Sequence, residues 1–207
     1  MTGARGSSLE AGGEATSRMR LGIFGGTFNP IHWGHLVLAE TARETLGLDR
    51  VLFVPAHQPP HKRGAELAPG LQRLAMVRLA VRDHPAFAAS DLELMRQGVS
   101  YTLDTVQTIH DQLPEATLFL LMGQDMLRVP WRNWAAMKRL CTIVVAPRAK
   151  PARAQAKMRW LGMPRIDVAS SDIRARVAAG RSIRYLVPPP VQRYIRQHHL
   201  YEHRRGG

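Results

Sequence analysis

The sequence is poor in cysteine, with Cys141 alone among 207 residues. A disulfide bond within one chain is therefore impossible, which is typical of proteins from a reducing cytoplasm. No run of about 18 apolar residues occurs, so we expect no transmembrane helix. The first 18 residues lack the apolar block of a signal peptide, and their Gly, Ser, Ala and Thr content predicts a disordered leader. We expect a cytoplasmic protein with a single folded domain at 19–201 and a flexible tail at 202–207.

Acidic residues are also scarce, since 16 Asp and Glu stand against 29 Lys and Arg, giving a formal charge of +13. Most of the excess lies in residues 148–207, which carry 14 basic and three acidic side chains. This balance favours an anionic partner, either a polyphosphate ligand or nucleic acid. A solvated basic face explains most of these side chains equally well, because no aromatic-interleaved RNA-binding motif accompanies them.

Two common catalytic motifs are missing. The sequence contains neither a GxSxG nucleophile elbow nor a GxxxxGK[ST] phosphate-binding loop, and its one cysteine lies in the apolar run CTIVV. These absences argue against a covalent nucleophile and against P-loop chemistry.

The strongest functional signal is the segment 21–38, LGIFGGTFNPIHWGHLVL. Its apolar start predicts a buried strand, which runs into a glycine turn at 25–27. A helix is predicted from 34 to 46, with Gly47 as its C-terminal stop. Glycines let the backbone approach an anion, and a helix N-terminus supplies unpaired N–H groups, so this segment predicts a phosphate-binding site.

Two histidines strengthen that interpretation. His32 and His35 are three residues apart and therefore share one face of the helix start. A glycine turn alone is common in any α/β protein. The turn followed by two imidazoles favours a functional role over a structural one.

The remaining apolar runs predict five further strands, at 50–55, 86–92, 116–122, 141–146 and 165–168. Helices are predicted at 70–81 and at 102–113, the second capped by Ser100, and from Ser170 or Ser171 to Gly180. IRYLVP predicts one helical turn and PPVQRYIRQHHLY a C-terminal helix, with Pro188 to Pro190 at their junction. Six strands alternating with helices predict one parallel sheet covered on both faces.

Polar side chains follow several of these strands, where α/β sheets bind ligands. Lys62 lies in the proline-rich loop after the second strand, and Thr102 stands at the start of a helix. Asp125 follows the fourth strand, where a carboxylate can bind ribose, orient a metal-bound phosphate or merely cap a helix. Trp131 and Trp134 are either core residues or stacking platforms for a heterocycle.

Nine anion-binding candidates converge if this fold is correct: Gly25, Gly26, Thr27, His32, His35, Lys62, Ser170, Ser171 and Arg174. Transfer of a phosphoryl or nucleotidyl group requires mainly positioning and charge neutralisation from the protein. The residues therefore predict attack on a nucleoside triphosphate.

The motif GGTFNPIHWGH resembles the signature of the HxGH nucleotidyltransferase superfamily. With PPHK, GVSYTLDT, GQD near a WxxW pattern, VASSDIR and YLVP, the chain resembles the bacterial nicotinate-nucleotide adenylyltransferase family from Met19 to Tyr201. The resemblance implies a Rossmann-like, doubly wound parallel sheet of about six strands. It also implies transfer of AMP from ATP to nicotinate mononucleotide in NAD biosynthesis, giving deamido-NAD and pyrophosphate, with Mg2+ bound mainly through the ATP phosphates.

The resemblance implies three groups of site residues. The catalytic residues are His32 and His35. The ATP-binding residues are Gly25, Gly26, Thr27, Phe28, Ser170, Ser171 and Arg174, and the mononucleotide-binding residues are Lys62, Thr102, Asp125 and Trp131.

The sequence departs from the family pattern at three places. Asn29 stands where many members have Asp, Ala169 replaces the first Ser of ISSTxIR, and the segment before WxxW is shortened. The shortening leaves open whether Trp131 or Trp134 stacks on the base.

The motifs support other functions less well. Nicotinamide mononucleotide is the nearest alternative substrate. Phosphopantetheine enzymes usually carry Thr at the position of His32, cytidylyltransferases carry an RTEGIST-like segment, and a class I synthetase needs a tRNA-binding domain. A basic RNA-binding protein with a degenerate nucleotide pocket is the alternative from another class, and the two intact histidines argue against it.

Overall fold

The computed structural model describes residues 18–58, 67–96, 98–147 and 158–202. Predictions for the leader up to residue 17, for Lys62 and for the tail beyond Glu202 lie outside these ranges. Within them, no helix combines the length and the apolar character needed to cross a bilayer.

Strands and helices alternate along the described chain. The strands are β1 Arg20–Gly26, β2 Arg50–Pro55, β3 Phe87–Ala89, β4 Thr117–Gly123, β5 Thr142–Ala146 and β6 Met158–Trp160. The helices are α1 Trp33–Leu46, α2 Gly70–Val81, α3 Leu92–Arg96, α4 Thr102–Gln112, α5 Trp134–Leu140, α6 Ser170–Ala178 and α7 Pro189–Gln197, with a 3₁₀ helix at Gln124–Arg128.

The six strands form one parallel sheet in the order β3-β2-β1-β4-β5-β6. The order reverses beside β1, as in a doubly wound Rossmann sheet, where ligands bind at the carboxyl ends of the strands. The predicted fold class is thus confirmed.

The two sheet faces bury separate apolar clusters, because successive strand residues point in opposite directions. Leu21 and Ile23 of β1 pack with α4 and α5, whereas Phe24 packs with α1, α2, α6 and α7. This arrangement places helices on both faces, as predicted.

Two predicted strands were wrong in their extent or position. β3 ends at Ala89, because the Leu92 N–H donates to the Ser90 hydroxyl at 3.2 Å and the chain turns into α3. The sixth strand is not 165–168 but β6, whose Met158 is buried while Arg165 pairs with Asp167 in solvent. An exposed ion pair contributes little to stability, whereas burial of the Met158 side chain stabilises a strand at the sheet edge.

Three local predictions near helix ends were also wrong. The IRYLVP segment forms no helical turn: Tyr185 has φ 67°, which a right-handed helix excludes, and Arg184 bridges Val187. Ser100 does not cap α4, since its hydroxyl accepts the His57 N–H at 2.8 Å. Cys141 is buried as expected, although it lies just before β5 rather than within it.

Candidate active site

A crevice opens between the carboxyl ends of β1 and β4. In the described chain, β1 stays in register with β2 up to the pair Gly26–Pro55, whereas its register with β4 ends earlier, at Ile23–Leu120. The last residues of β1 therefore separate from β4. This is the topological switch point of the sheet, where the fold places ligands.

Gly25 and Gly123, one at the end of each strand, face open space. A Cβ added at either position would meet no atom of the described residues within 4 Å, and neither glycine has a positive φ. Neither packing nor backbone conformation therefore requires glycine there. Their missing side chains leave room for a ligand to approach the backbone, which agrees with the predicted phosphate cradle.

Gly26 and Gly34, by contrast, are required by their neighbours. A Cβ on Gly26 would lie 2.9 Å from the ring of Phe28, which is 2% exposed and has no room to move. A Cβ on Gly34 would lie 3.1 Å from two ring atoms of His32. The glycine of the HxGH motif thus lets the His32 ring lie close to the first turn of α1.

His32 and His35 are packed against each other at the start of α1. Their rings stack with centroids 3.7 Å apart, and His32 is 6% exposed. The His32 N–H donates to Nδ1 of His35 over 3.2 Å, and the His35 N–H donates to the His32 carbonyl over 3.0 Å. The structure therefore brings the two predicted catalytic residues together.

This contact selects the tautomer of His35. Because Nδ1 accepts a hydrogen bond from the backbone, the neutral ring carries its proton on Nε2. An Nε2–H donor at the N-terminus of a helix is suited to an oxyanion, because the helix dipole also favours negative charge there.

Aromatic rings hold His35 from the sheet side. The rings of Phe28 and His35 meet edge to face at 5.1 Å, and the ring of Phe24 lies 5.9 Å from that of His35. Phe28 adopts φ 46°, in the left-handed region that side chains rarely occupy. The turn after β1 is therefore held in an unusual conformation by buried packing, and the ring of the predicted ATP-binding residue Phe28 contacts His35.

The second predicted half of the site, at the start of α6, contacts the first half directly. The Ser170 hydroxyl donates to the Pro30 carbonyl at 2.9 Å, and Nη1 of Arg174 donates to the Asn29 carbonyl at 3.1 Å. The predicted convergence of these distant segments is thus present. These bonds fix the turn after β1.

Ser171 differs from Ser170. It is exposed, and its hydroxyl lies 3.4 Å from a carboxylate oxygen of Asp172. The N-cap position of α6 is Ala169, with no capping hydrogen bond from a side chain, so the prediction that Ser170 or Ser171 caps this helix was wrong. The N–H groups of the first turn of α6 consequently lack a side-chain cap.

Of the predicted mononucleotide residues, Thr102, Asp125 and Trp131 lie in the described chain. Thr102 is the first residue of α4, and Asp125 lies in the 3₁₀ helix that follows β4. Trp131 is partly buried, and its ring N–H donates to the Met126 carbonyl at 2.6 Å. Its ring lies 5.2 Å from that of Trp134, so the two indoles pack together.

Sequence reasoning missed Arg73. The sequence predicted the helix at 70–81 without singling out Arg73, which lies on the buried face of α2 and is 1% exposed. Its guanidinium donates to the carbonyls of Ala68, Thr27 and His57 at 2.9, 2.8 and 3.3 Å. The helical spacing of Arg73 with Met76 and Val77 was the available signal.

Arg73 therefore joins the loops that follow β1 and β2. Burial lowers the pKa of its guanidinium, but the usual value is so high that the group stays charged. Three carbonyl acceptors compensate the buried charge. The result is a fixed positive charge bonded to the backbone of the glycine turn.

Sequence reasoning also missed Tyr201. Its hydroxyl donates to Oδ1 of Asn29 at 2.7 Å, and the same oxygen accepts the Ala68 N–H at 3.1 Å. Burial raises the pKa of Tyr201, so the phenol remains a donor throughout the physiological range. No local sequence pattern indicates a contact across 172 residues.

The described residues contain no group of three or more His, Cys, Asp or Glu side chains suited to holding a metal ion. Mg2+ commonly binds one or two carboxylates and completes its shell with substrate phosphates and water. The donor set at this crevice, with Asp125 at its edge, fits an ion carried largely by a nucleotide.

Comparison with known proteins decides the family. The chain matches the cytidylyltransferase-like family model over residues 23–176. A nicotinate-nucleotide adenylyltransferase of Synechococcus is 44% identical over 195 residues, covering 88% of this chain and 94% of the relative. That of Roseiflexus is 45% identical over 194 residues, covering 87% and 97%.

This chain belongs to the nicotinate-nucleotide adenylyltransferase family. Its fold also matches that of the Plasmodium falciparum nicotinic acid mononucleotide adenylyltransferase complexed with NaAD. The TM-score is 0.73 with 17% identity, and the match covers 89% of this chain and 98% of the other. The family and the fold expected from the motifs are confirmed.

Proposed function

We propose that this member of the family transfers the adenylyl group of ATP to nicotinate mononucleotide, giving deamido-NAD and pyrophosphate. The observation that carries the proposal is the stacked His32–His35 pair beside an open glycine crevice. The names of its relatives and the NaAD complex of the P. falciparum protein support the choice of substrates.

On the ATP side, the triphosphate lies against the backbone from Gly25 to Phe28. The N-terminus of α6 approaches from the other side, with Ser171 exposed to meet a phosphate. Ser170 and Arg174 hold the turn through Pro30 and Asn29, and Arg174 adds positive charge next to the phosphates.

On the mononucleotide side, Thr102 and Trp131 hold the nicotinate ring and its carboxylate. Thr102 begins α4, so its hydroxyl and the backbone N–H groups of the first turn offer donors to that carboxylate. Asp125 contacts ribose or metal-linked groups. Lys62, which lies outside the described residues, contributes to phosphate binding.

The reaction is a single displacement at phosphorus. An oxygen of the mononucleotide 5′-phosphate forms a bond to the α-phosphorus of ATP, while the bond from that phosphorus to the oxygen bridging the α- and β-phosphates breaks. The electron pair leaves with pyrophosphate, and no proton transfer is needed. His35 donates from Nε2 to oxygens that gain charge in the transition state, and His32 supports its ring.

Mg2+ accompanies ATP as part of the substrate. When bound, it neutralises phosphate charge and polarises the phosphorus that is attacked. Asp125 is the carboxylate that we propose to orient it or its water.

We also propose that residues 19–201 act as one domain in the cytoplasm. The continuous sheet from β1 to β6 and the single buried cysteine support this proposal.

The test is a paired assay of pyrophosphate release by the purified full-length protein with Mg-ATP. We expect a higher kcat/KM with nicotinate mononucleotide than with nicotinamide mononucleotide, because donors at the start of α4 favour a carboxylate over an amide. Identification of deamido-NAD by mass spectrometry checks the product.

A matched assay replaces ATP with CTP. A further experiment measures RNA binding at increasing salt concentration. Equal or reversed preference between the two mononucleotides would overturn the substrate assignment alone. Salt-dependent RNA binding without pyrophosphate release from any pair would overturn the enzymatic function.

A further inference from the structure

The C-terminal segment reaches back to the turn that follows β1. Tyr201 donates its hydroxyl hydrogen to Oδ1 of Asn29 at 2.7 Å, three residues after His198, the C-cap of α7. Asn29 is 5% exposed and lies three residues before His32. A residue outside the sheet and outside every helix therefore contacts the turn that leads into the HxGH motif.

The backbone is bent into an unfavourable shape to make this contact. His199 and Tyr201 have φ values of 50° and 67°, in the left-handed region. Such a conformation persists in residues other than glycine only where surrounding contacts hold it. Here the Leu200 side chain is buried in the core, and its N–H donates to the Ile195 carbonyl at 3.0 Å. The segment is thus anchored, and the Tyr201 hydroxyl is aimed at Asn29.

Asn29 accepts hydrogen bonds from three other parts of the chain. Its side-chain oxygen accepts from Tyr201 and from the Ala68 N–H, and its carbonyl accepts from Arg174 at 3.1 Å. These partners belong to the C-terminal segment, the residues just before α2, and helix α6. Their combined effect is to fix the peptide groups between the glycine turn and the first histidine.

We propose that Tyr201 is a positioning residue of the adenylyl-transfer site, which acts through Asn29 to hold His32 and His35 in the geometry that the transition state requires. The inference rests on the proposed function above. Tyr201 contributes no charge to the substrate, and its hydroxyl is occupied by Asn29. Its influence on the reaction therefore passes through the backbone of the turn.

A positioning role differs from a purely structural one in what it changes. Displacements below 1 Å at a group that stabilises a transition state lower kcat, even when the protein remains folded. A residue needed only for stability lowers the melting temperature and leaves the kinetic constants of the folded protein unchanged. Kinetics measured far below the melting temperature separate the two roles.

The test variant is Tyr201→Phe, which removes one hydroxyl and keeps the ring. We expect kcat to fall about tenfold, the effect of one lost hydrogen bond, with KM for ATP changed less than twofold. The control is Tyr194→Phe on α7. Its ring packs on His198 at 4.1 Å, and its hydroxyl makes no hydrogen bond to a described residue, so we expect wild-type kinetics.

A second readout does not depend on activity. The imidazole signals of His32 and His35 in NMR spectra report the geometry of the pair. We expect Tyr201→Phe to shift them and Tyr194→Phe to leave them in place. If the wild type released no pyrophosphate while these shifts appeared, the proposed function would fail and the coupling from Tyr201 to the histidines would stand.

Unchanged kcat and unchanged imidazole signals in a folded Tyr201→Phe protein would overturn the inference. Should that variant fail to fold, Asn29→Ala removes the acceptor of the same bond. We expect kcat to fall at least about tenfold and the imidazole signals to shift. Unchanged kcat and unchanged imidazole signals in a folded Asn29→Ala protein would contradict the proposed path through this acceptor.

Discussion

Gly25 and Gly26 are neighbours in sequence, yet they lack side chains for different reasons. Gly25 faces open space, whereas a Cβ on Gly26 would lie 2.9 Å from the buried ring of Phe28. We expect Gly25→Ala to preserve the melting temperature and to raise KM for ATP at least tenfold, because the methyl group occupies space meant for a phosphate.

The matched change, Gly26→Ala, should lower the free energy of unfolding by about 1–3 kcal/mol through overpacking. Thermal unfolding and steady-state kinetics on the two variants check this pair. A Gly25→Ala enzyme with wild-type KM would place the triphosphate elsewhere.

His35 is the second residue whose role is specific enough to test. The backbone bond to its Nδ1 leaves Nε2–H as the donor, so His35→Ala should lower kcat by a factor of about 100 or more. The control is His110→Ala on α4, for which we expect no change in turnover. Single-turnover measurements with ATP and nicotinate mononucleotide isolate the chemical step.

Unchanged single-turnover rates in His35→Ala would show that the stacked pair is structural. A rise in KM for ATP at unchanged kcat would instead assign His35 to ground-state binding of ATP.

At the level of elements, the two serines that begin α6 differ in their contacts. Ser170 donates to the Pro30 carbonyl, and Ser171 is exposed at the first turn. We expect Ser170→Ala to lower the free energy of unfolding by about 0.5–1.5 kcal/mol, because a carbonyl loses its donor. Ser171→Ala should leave stability within about 0.5 kcal/mol of wild type and weaken ATP binding.

Chemical denaturation and titration with a nonhydrolysable ATP analogue measure the two effects separately. If Ser171→Ala bound the analogue as well as wild type, the N-terminus of α6 would hold the turn without contacting phosphate.

Helix α2 shows why element-level patterns can mislead. Charged side chains of a helix are usually exposed, so the sequence of α2 gives little sign that one of its basic residues is buried. Arg73 is the exception, and its place is decided by three carbonyls that come from other loops. A pattern within one helix contains no information about acceptors on its neighbours.

For the whole molecule, the sheet could be predicted where strands are long and buried. β1, β2, β4 and β5 are apolar runs within a parallel sheet covered on both faces, and such runs stand out in a sequence. β6 could not be recognised, because a three-residue edge strand with an exposed Arg159 has little apolar signal. The position of an edge strand depends on its pairing with β5, which the sequence does not display.

The candidate site was likewise predictable only where its residues lie close together in sequence. Local motifs identified the glycine turn, the histidine pair and the start of α6, since each lies within a few consecutive residues. The supporting contacts of Arg73 and Tyr201 join residues 46 and 172 positions apart in sequence. Contacts of that range follow from the fold and not from any short pattern.

The Tyr201–Asn29 bond has a consequence for the order of folding. A ribosome makes the glycine turn early and Tyr201 late, because synthesis runs from the N-terminus. Contacts between residues so far apart form slowly, since closing a long loop carries an entropy cost that local helices avoid. A nascent chain can therefore build its first strand and helix well before the histidine pair is locked, so adenylyl transfer should be among the last properties that the newly made protein acquires.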